Sequence, residues 1–94
     1  MQSVITIPKE DVGTANFVAN DVLSDPILIA ERQRTLIRAL SLGNLYRQKV
    51  TITYRLEDWM TQRVITTVWA VTDYCVTLKG GRMIPVHAIE RVEL

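Results

Sequence analysis

Side chains that could do acid–base or nucleophilic chemistry are scarce in this sequence, which has one histidine, His87, and one cysteine, Cys75. General acid–base catalysis needs a second titratable group within hydrogen-bond reach, and none lies at a recognisable spacing from His87. Cys75 lies in a run of strand-forming residues, where we interpret it as a small buried hydrophobe in a reducing compartment. The sequence has no metal-ligand cluster, nucleophile elbow or phosphate-cradling loop. We therefore expect no enzyme activity, metal, cofactor or small-molecule substrate.

Positive charge is concentrated in residues 32–55, although the net charge of the whole chain is only +1. This segment has six basic residues and no acidic one, whereas residues 1–31 have one lysine and five acids. A local positive charge attracts phosphate or an acidic partner, and neighbouring aromatic side chains can stack on unpaired bases. Alternatively, the acidic N-terminal residues pack beside the basic segment and neutralise it. The candidate residues for binding single-stranded RNA or DNA are Tyr46, Arg47, Lys49, Arg55, Lys79, Arg82 and His87.

His87 has a second interpretation beside contact with a base or a phosphate. A histidine in a turn often has one ring nitrogen bonded to the backbone, and its role is then structural. The sequence leaves both interpretations open.

Trp59 and Met60 lie in a turn between two strand-like segments and are candidates for contact with another chain. Tryptophan contributes to interfaces out of proportion to its number. Short edge strands near the C-terminus also leave backbone groups free to pair with another chain. The alternative is that Trp59 and Met60 close the open end of a barrel within one chain. The predicted partner or oligomer contacts are Trp59, Met60, Met83, Ile84 and Val86.

One firm helix signal precedes the strand-rich half of the chain. Asp25 is a capping residue directly before Pro26, and proline is tolerated in the first turn of a helix. The pattern predicts a helix from about Pro26 to Leu42, with Gly43 and Asn44 as its stop. We expect Leu36 and Leu40 to dock this helix onto the sheet.

The segment from Lys49 to Leu94 consists of short runs rich in Val, Ile, Thr and aromatic residues, separated by turn residues. The alternation over Val50–Leu56 is typical of a half-buried strand. Arg63–Val71 is apolar on both faces, and Gly80-Gly81 predicts a tight hairpin. The fold class we expect is mainly β with an N-terminal helix, as a small five-stranded bent antiparallel sheet or barrel. The predicted core residues are Ile52, Tyr54, Val68, Val76, Leu78, Ile84, Ile89 and Val92.

The chain divides into an N-terminal arm, residues 1–24, and one domain, residues 25–94. Val4 to Ile7 resembles an edge strand that Pro8 ends, and residues 9–22 favour at most a short helix. No apolar run approaches the ~20 residues that a membrane span needs, and no secretory signal is visible. We therefore expect a cytoplasmic protein without membrane contact.

The second half of the chain resembles the Sm-like fold. Val76–Ile89 is similar to the second Sm motif of the bacterial Hfq RNA chaperones, in which a lysine–histidine–alanine–isoleucine run ends the barrel. Here His87, Ala88 and Ile89 match, and Val86 stands at the lysine position. Asp73 lies at the expected turn, and Thr66 or Thr67 replaces the usual glycine. This resemblance implies a small Sm-like or SH3-like barrel that pairs its edge strands into rings and binds single-stranded nucleic acid.

The same half also resembles the YolD-like family of small bacterial proteins. The strand Val50–Tyr54 and the ending Ile84–Leu94 carry this similarity, while Asp58-Trp59 replaces the glycine of the first hairpin. Both resemblances cover about half of the chain.

The function we predict is that of a non-enzymatic small-barrel interaction module that self-associates and binds a protein partner. The alternative is Hfq-like binding of single-stranded RNA or DNA through residues 32–55 and the turn at His87. Self-association is expected because one helix can shield only one side of a small sheet. The competing account is that residues 1–23 fold back and cover the rest of the core.

Overall fold

The computed structural model describes residues 4–94, and this part of the chain is mainly β, which confirms the predicted class. It has one α-helix and seven strands in two sheets, and two short 3₁₀ helices lie at Lys9–Asp11 and Val86–Ala88. The elements are β1 (Ile5–Thr6), α1 (Pro26–Tyr46), β2 (Val50–Arg55), β3 (Thr61–Thr66), β4 (Val68–Val71), β5 (Cys75–Leu78), β6 (Met83–Pro85) and β7 (Ile89–Glu93). The strand orders of the two sheets are β1-β3-β2-β7 and β4-β5-β6.

Two finer expectations about the architecture are wrong. The strands do not close into one five-stranded barrel, because the segment predicted as a single strand from Arg63 to Val71 divides at Thr67 between β3 and β4. The helix lies in the middle of the chain rather than at its N-terminus, because β1, a 3₁₀ helix and a bridge from Phe17 to Leu56 precede it.

Helix α1 begins where the sequence predicts and ends one turn later. The Asp25 carboxylate accepts a hydrogen bond from the Ile27 N–H at 2.9 Å and so caps the first turn. The predicted stop at Gly43 is wrong because this glycine serves close packing. A Cβ there would lie 2.6 Å from the Val68 carbonyl oxygen of β4. Arg47 ends the helix with a left-handed φ of 55°, and its N–H donates to the Gly43 carbonyl at 2.9 Å.

The core lies between the inner faces of the two sheets and one side of α1. All the predicted core residues from Ile52 to Ile89 are buried, Val92 is half-buried against them, and Leu36 and Leu40 dock the helix as expected. The arm contributes Val12, which is fully buried and which the sequence did not single out.

The described part of the arm is an integral layer of the fold. Strand β1 pairs in parallel with β3 at the edge of the first sheet, as the edge-strand prediction required. The Phe17 ring packs at 5.5 Å from the Tyr54 ring, and Val18 is buried. The arm therefore covers part of the core, as the competing account for residues 1–23 proposed, although the structure describes that segment only from residue 4.

Within residues 4–94, no helix has both the length and the apolar character needed to cross a membrane.

Candidate functional site

The outer side of the β4-β5-β6 sheet is an uncharged surface. These three strands contain no charged residue. Cross-strand pairing places Ala70 opposite Thr77 and Thr77 opposite Met83, in one row on the side away from the core. Met83 is 52% exposed and Ala70 is also exposed. Cys75 and Pro85 form the neighbouring pair of this side, and Cys75 is half-buried rather than buried as predicted.

Among residues 4–94, strand β6 pairs only with β5, so its other edge, beside this surface, is free. The Arg82 carbonyl and the Val86 N–H bond towards the β5 side, at 2.7 and 2.8 Å. Because hydrogen-bonding direction alternates along a strand, Met83 and Pro85 direct their backbone groups to the free edge. Met83 offers a donor and an acceptor there, and Pro85 offers only an acceptor. We call Met83, Pro85, Thr77 and this edge the β6 surface.

The other sheet edges are less open to pairing. Strand β7 also pairs on one side only, but it carries Glu90, Arg91 and Glu93, and charges on an edge oppose pairing with another chain. The edge strand β4 packs against α1 at Gly43, and β1 has only two residues.

The predicted contact residues divide into three groups. Met83 lies on the β6 surface. Ile84 and Val86 are buried in the core, with exposed fractions of 0% and 5%, so their assignment to a contact surface is wrong. Ile84 lies on the inward side of β6 because alternate residues of a strand face opposite sides, and Val86 is a buried residue of the 3₁₀ helix that follows. Trp59 and Met60 lie in the turn between β2 and β3, in the other sheet, and both are exposed.

Trp59 does not close the end of a barrel. It has a positive φ of 66°, and its ring lies 5.6 Å from the Arg55 guanidinium carbon, which is a cation–π distance. Its exposed fraction is 53%. The ring therefore stays accessible in a single chain.

The predicted nucleic-acid-binding residues do not form one surface. Arg47 and Lys79 line one cleft together with Trp69, and Lys79 also lines a second cleft with Arg82. Arg55 forms an ion pair with Glu90 at 2.7 Å in the first sheet. Tyr46 and Lys49 are exposed on either side of Arg47 in the chain but do not line these clefts.

His87 lies in a different cleft, of about 530 Å³, together with Gln33, Asp73 and Tyr74. Its Nε2 lies 2.7 Å from the Val18 carbonyl oxygen. A carbonyl only accepts, so Nε2 carries the proton and donates to it. This contact matches the structural interpretation of the histidine.

A backbone hydrogen bond also joins His87 to the arm. The His87 carbonyl accepts a hydrogen bond from the Val22 N–H at 3.0 Å. Together with the ring, it fastens the arm to the short 3₁₀ helix before β7.

An ion pair between buried Arg32 and half-buried Asp21 also fastens the arm, and no local pattern in the sequence indicates it. Two guanidinium nitrogens of Arg32 donate to the two carboxylate oxygens of Asp21 at 2.9 and 2.8 Å, and one also donates to the Ile89 carbonyl at 3.0 Å. The hydrogen bonds from Arg32 hold the pKa of Asp21 below its ordinary value. Arg32 belongs to the basic segment but is buried. One N-terminal acid, Asp21, therefore neutralises one cation of that segment.

No family model matches this chain, and neither curated proteins nor solved structures yield a match. The resemblances to the Sm-like and YolD-like families stay predictions from the residues. The β6 surface can bind through its backbone edge and apolar contact. The clefts that Trp69, Arg47, Lys79 and Arg82 line can bind through stacking and charge.

Proposed function

We propose that this protein is a non-enzymatic interaction module that self-associates through the β6 surface. The observation that carries the proposal is the contrast between the edge strands β6 and β7. Strand β6 is free of charge and adjoins an uncharged sheet face, whereas β7 is charged. An uncharged free edge is a template for pairing with another chain.

The physical gain of association comes from two sources. Pairing satisfies the outward backbone groups of Met83 and Pro85, and an ordinary backbone hydrogen bond contributes about 0.5–1.5 kcal/mol net. Apolar contact at the exposed Met83 side chain contributes roughly 25 cal/mol per Å² of area removed from water. The edge alone is short, so we expect the sheet face around Thr77 to join the contact, towards the ~800 Å² per partner of a typical stable interface.

The sequence suggested two reasons for association, uncovered core and a free strand edge, and the proposal keeps only the second. Residues of the arm already cover part of the core in the single chain, so a second copy is not needed for that purpose. The proposal depends on the strand edge instead. The same proposal includes a further protein partner and a cytoplasmic location. It also includes an Sm-like origin of the two sheets, in which β3 and β4 correspond to one bent strand.

Two methionine variants distinguish the β6 surface from the turn between β2 and β3 as the contact. Met83→Lys places a charge on the β6 surface, whereas Met60→Lys places the same charge in the turn between β2 and β3. The two side chains are comparably exposed, at 52% and 42%. Sedimentation velocity at micromolar concentration should show dissociation for Met83→Lys and the wild-type species for Met60→Lys. The reverse pattern would move the contact to the turn, and the wild-type species for both variants would remove both candidate surfaces.

The alternative function has less support in its original form. It required residues 32–55 and the turn at His87 to bind one strand of RNA or DNA together. Arg32 is buried, Arg55 is paired with Glu90, and His87 lies in a different cleft from Arg47.

A further inference from the structure

A cleft opens where the end of α1 meets β4 and the hairpin after β5. It has a volume of about 340 Å³ and is lined by Gly43, Asn44, Arg47, Thr67, Trp69 and Lys79. We propose that this cleft, called the Trp69 cleft, binds single-stranded nucleic acid by stacking a base on Trp69 and holding a phosphate with Arg47 and Lys79.

Trp69 is a suitable stacking platform because the local backbone turns it outward. The register of β4 against β5 shifts between Val68 and Ala70, so Trp69 is the extra residue of a bulge. Val68 is fully buried, whereas Trp69 is 51% exposed. About half of the surface of Trp69 is therefore available to a ligand.

The two cations of the cleft are held at fixed positions on the backbone. The Arg47 N–H donates to the Gly43 carbonyl at the end of the helix. The Lys79 N–H donates to the Thr67 carbonyl at 2.9 Å, at the junction between the two sheets. Neither side chain takes part in any of the ion pairs of residues 4–94. Both charges are thus free to meet a phosphate.

Positive charge continues beyond the Trp69 cleft. Lys79 also lines the neighbouring cleft with Lys9, Glu10 and Arg82. Glu10 is the only acid there, and it lies 3.5 Å from the Lys9 ammonium. A strand leaving the Trp69 cleft along this path meets Arg82 next, so more than one phosphate can be bound.

The combination of an open indole face and unpaired cations favours an unpaired strand over other anions. Bases in a duplex are stacked on each other and cannot stack on Trp69, whereas those of a single strand can. An acidic peptide would use Arg47 and Lys79 and gain little from the indole. RNA and DNA share the required chemistry, so both are probes.

The site and the β6 surface lie on opposite edge strands of one sheet, since the strand order is β4-β5-β6. The Trp69 cleft opens at the β4 edge, whereas the contact proposed for self-association is centred on the β6 edge. Sedimentation of Trp69→Ala in the same samples shows whether the oligomeric state changes, so that loss of stacking and loss of self-association are measured separately.

The test uses the full chain and fluorescein-labelled 12-mers of oligo(U) and oligo(dT), with binding measured by anisotropy. Trp69→Ala should weaken binding about 5- to 100-fold, the range for loss of one stacked base. Trp59→Ala is the matched control, because Trp59 is exposed to the same extent but lies in the other sheet, and its affinity should equal that of the wild type. Trp69→Phe should recover part of the loss. Arg47→Ala and Lys79→Ala should each lower the slope of log affinity against log salt by about 0.7.

A direct readout comes from the two tryptophans of the chain. In the Trp59→Phe variant Trp69 is the one remaining tryptophan, and the oligonucleotide should quench its indole emission, whereas duplex DNA should not. Three results would each overturn the inference. The first is no binding of either 12-mer, and the second is an equal loss of affinity in Trp69→Ala and Trp59→Ala. The third is that poly-glutamate displaces the 12-mer equally well from the wild type and from Trp69→Ala. The last would identify simple attraction of polyanions. A difference between oligo(U) and oligo(dT) would identify the natural class of strand.

Discussion

Replacing Asp21 by asparagine should destabilise the fold strongly, because it leaves a buried arginine without its counter-charge. The Arg32 side chain is only 5% exposed, and its two terminal nitrogens donate to both Asp21 oxygens. Its Nε has no hydrogen-bond partner among residues 4–94. Asparagine keeps the size of the side chain but loses the charge and one acceptor. Arg32 would then keep the Ile89 carbonyl and one amide oxygen as acceptors, while the amide nitrogen, a donor, would face the other guanidinium nitrogen.

The expected cost follows from the burial of Arg32 and the partial exposure of Asp21. Breaking a fully buried ion pair costs about 3–5 kcal/mol. Because the Asp21 side chain is 32% exposed, water can reach the gap, and we expect the lower end, about 3 kcal/mol. For a domain of this size, 1 kcal/mol corresponds to roughly 4–8 °C in Tm, so the melting temperature should fall by about 15 °C.

Urea unfolding followed by far-ultraviolet circular dichroism measures this directly. Glu93→Gln is the control, since Glu93 pairs with Arg91 at 3.4 Å on the exposed surface and should contribute about 0–1 kcal/mol. A double-mutant cycle with Arg32→Met should show that most of the Asp21→Asn loss disappears once the arginine is gone. A loss below about 1 kcal/mol, or one equal to that of Glu93→Gln, would refute the reasoning that the arm is fastened by this pair.

Three further predictions concern stability. The pKa of Asp21 is lower in the folded state than in the unfolded state. Its contribution to the free energy of unfolding is therefore present above the unfolded pKa of about 3.9 and is lost as the pH falls through the folded pKa. In an acid titration, the wild type should lose stability more steeply than Asp21→Asn. Gly43→Ala should cost about 1–3 kcal/mol by chemical unfolding, because its Cβ would meet the Val68 carbonyl, whereas Ser41→Ala, exposed on the same helix, should cost nothing. Leu78→Ala should cost about 2–5 kcal/mol in the same assay, and an unchanged midpoint would mean that its burial is misassigned.

The sequence predicted those features that local chemistry decides. The start of α1 follows from the cap at Asp25 and from Pro26, and the core face of β2 follows from the alternation of apolar and polar residues. The end of α1 was missed because Gly43 is required by a distant carbonyl, that of Val68, and this cause is invisible in the local pattern. The division of the second predicted strand at Thr67 was missed because no proline or glycine marks it.

The candidate surfaces were predictable by residue type but not by arrangement. Arg55 and Arg47 look alike in the sequence, yet Arg55 is paired with a glutamate 35 positions away, and only the fold brings that partner near. Trp69 was expected within a strand. Its exposure depends on the register shift between β4 and β5, which no single residue of the sequence indicates. Arg32 looked like a surface cation, but the returning arm buries it.

The mass of the full-length protein in solution, measured by light scattering across a concentration series from about one to one hundred micromolar, tests the central proposal most directly. Self-association through β6 predicts a mass at the upper concentrations that is a whole-number multiple of that of one chain, and a shift towards the single chain on dilution. A single-chain mass throughout the series would contradict the proposal, because a free uncharged edge that finds no partner at these concentrations is not an assembly surface.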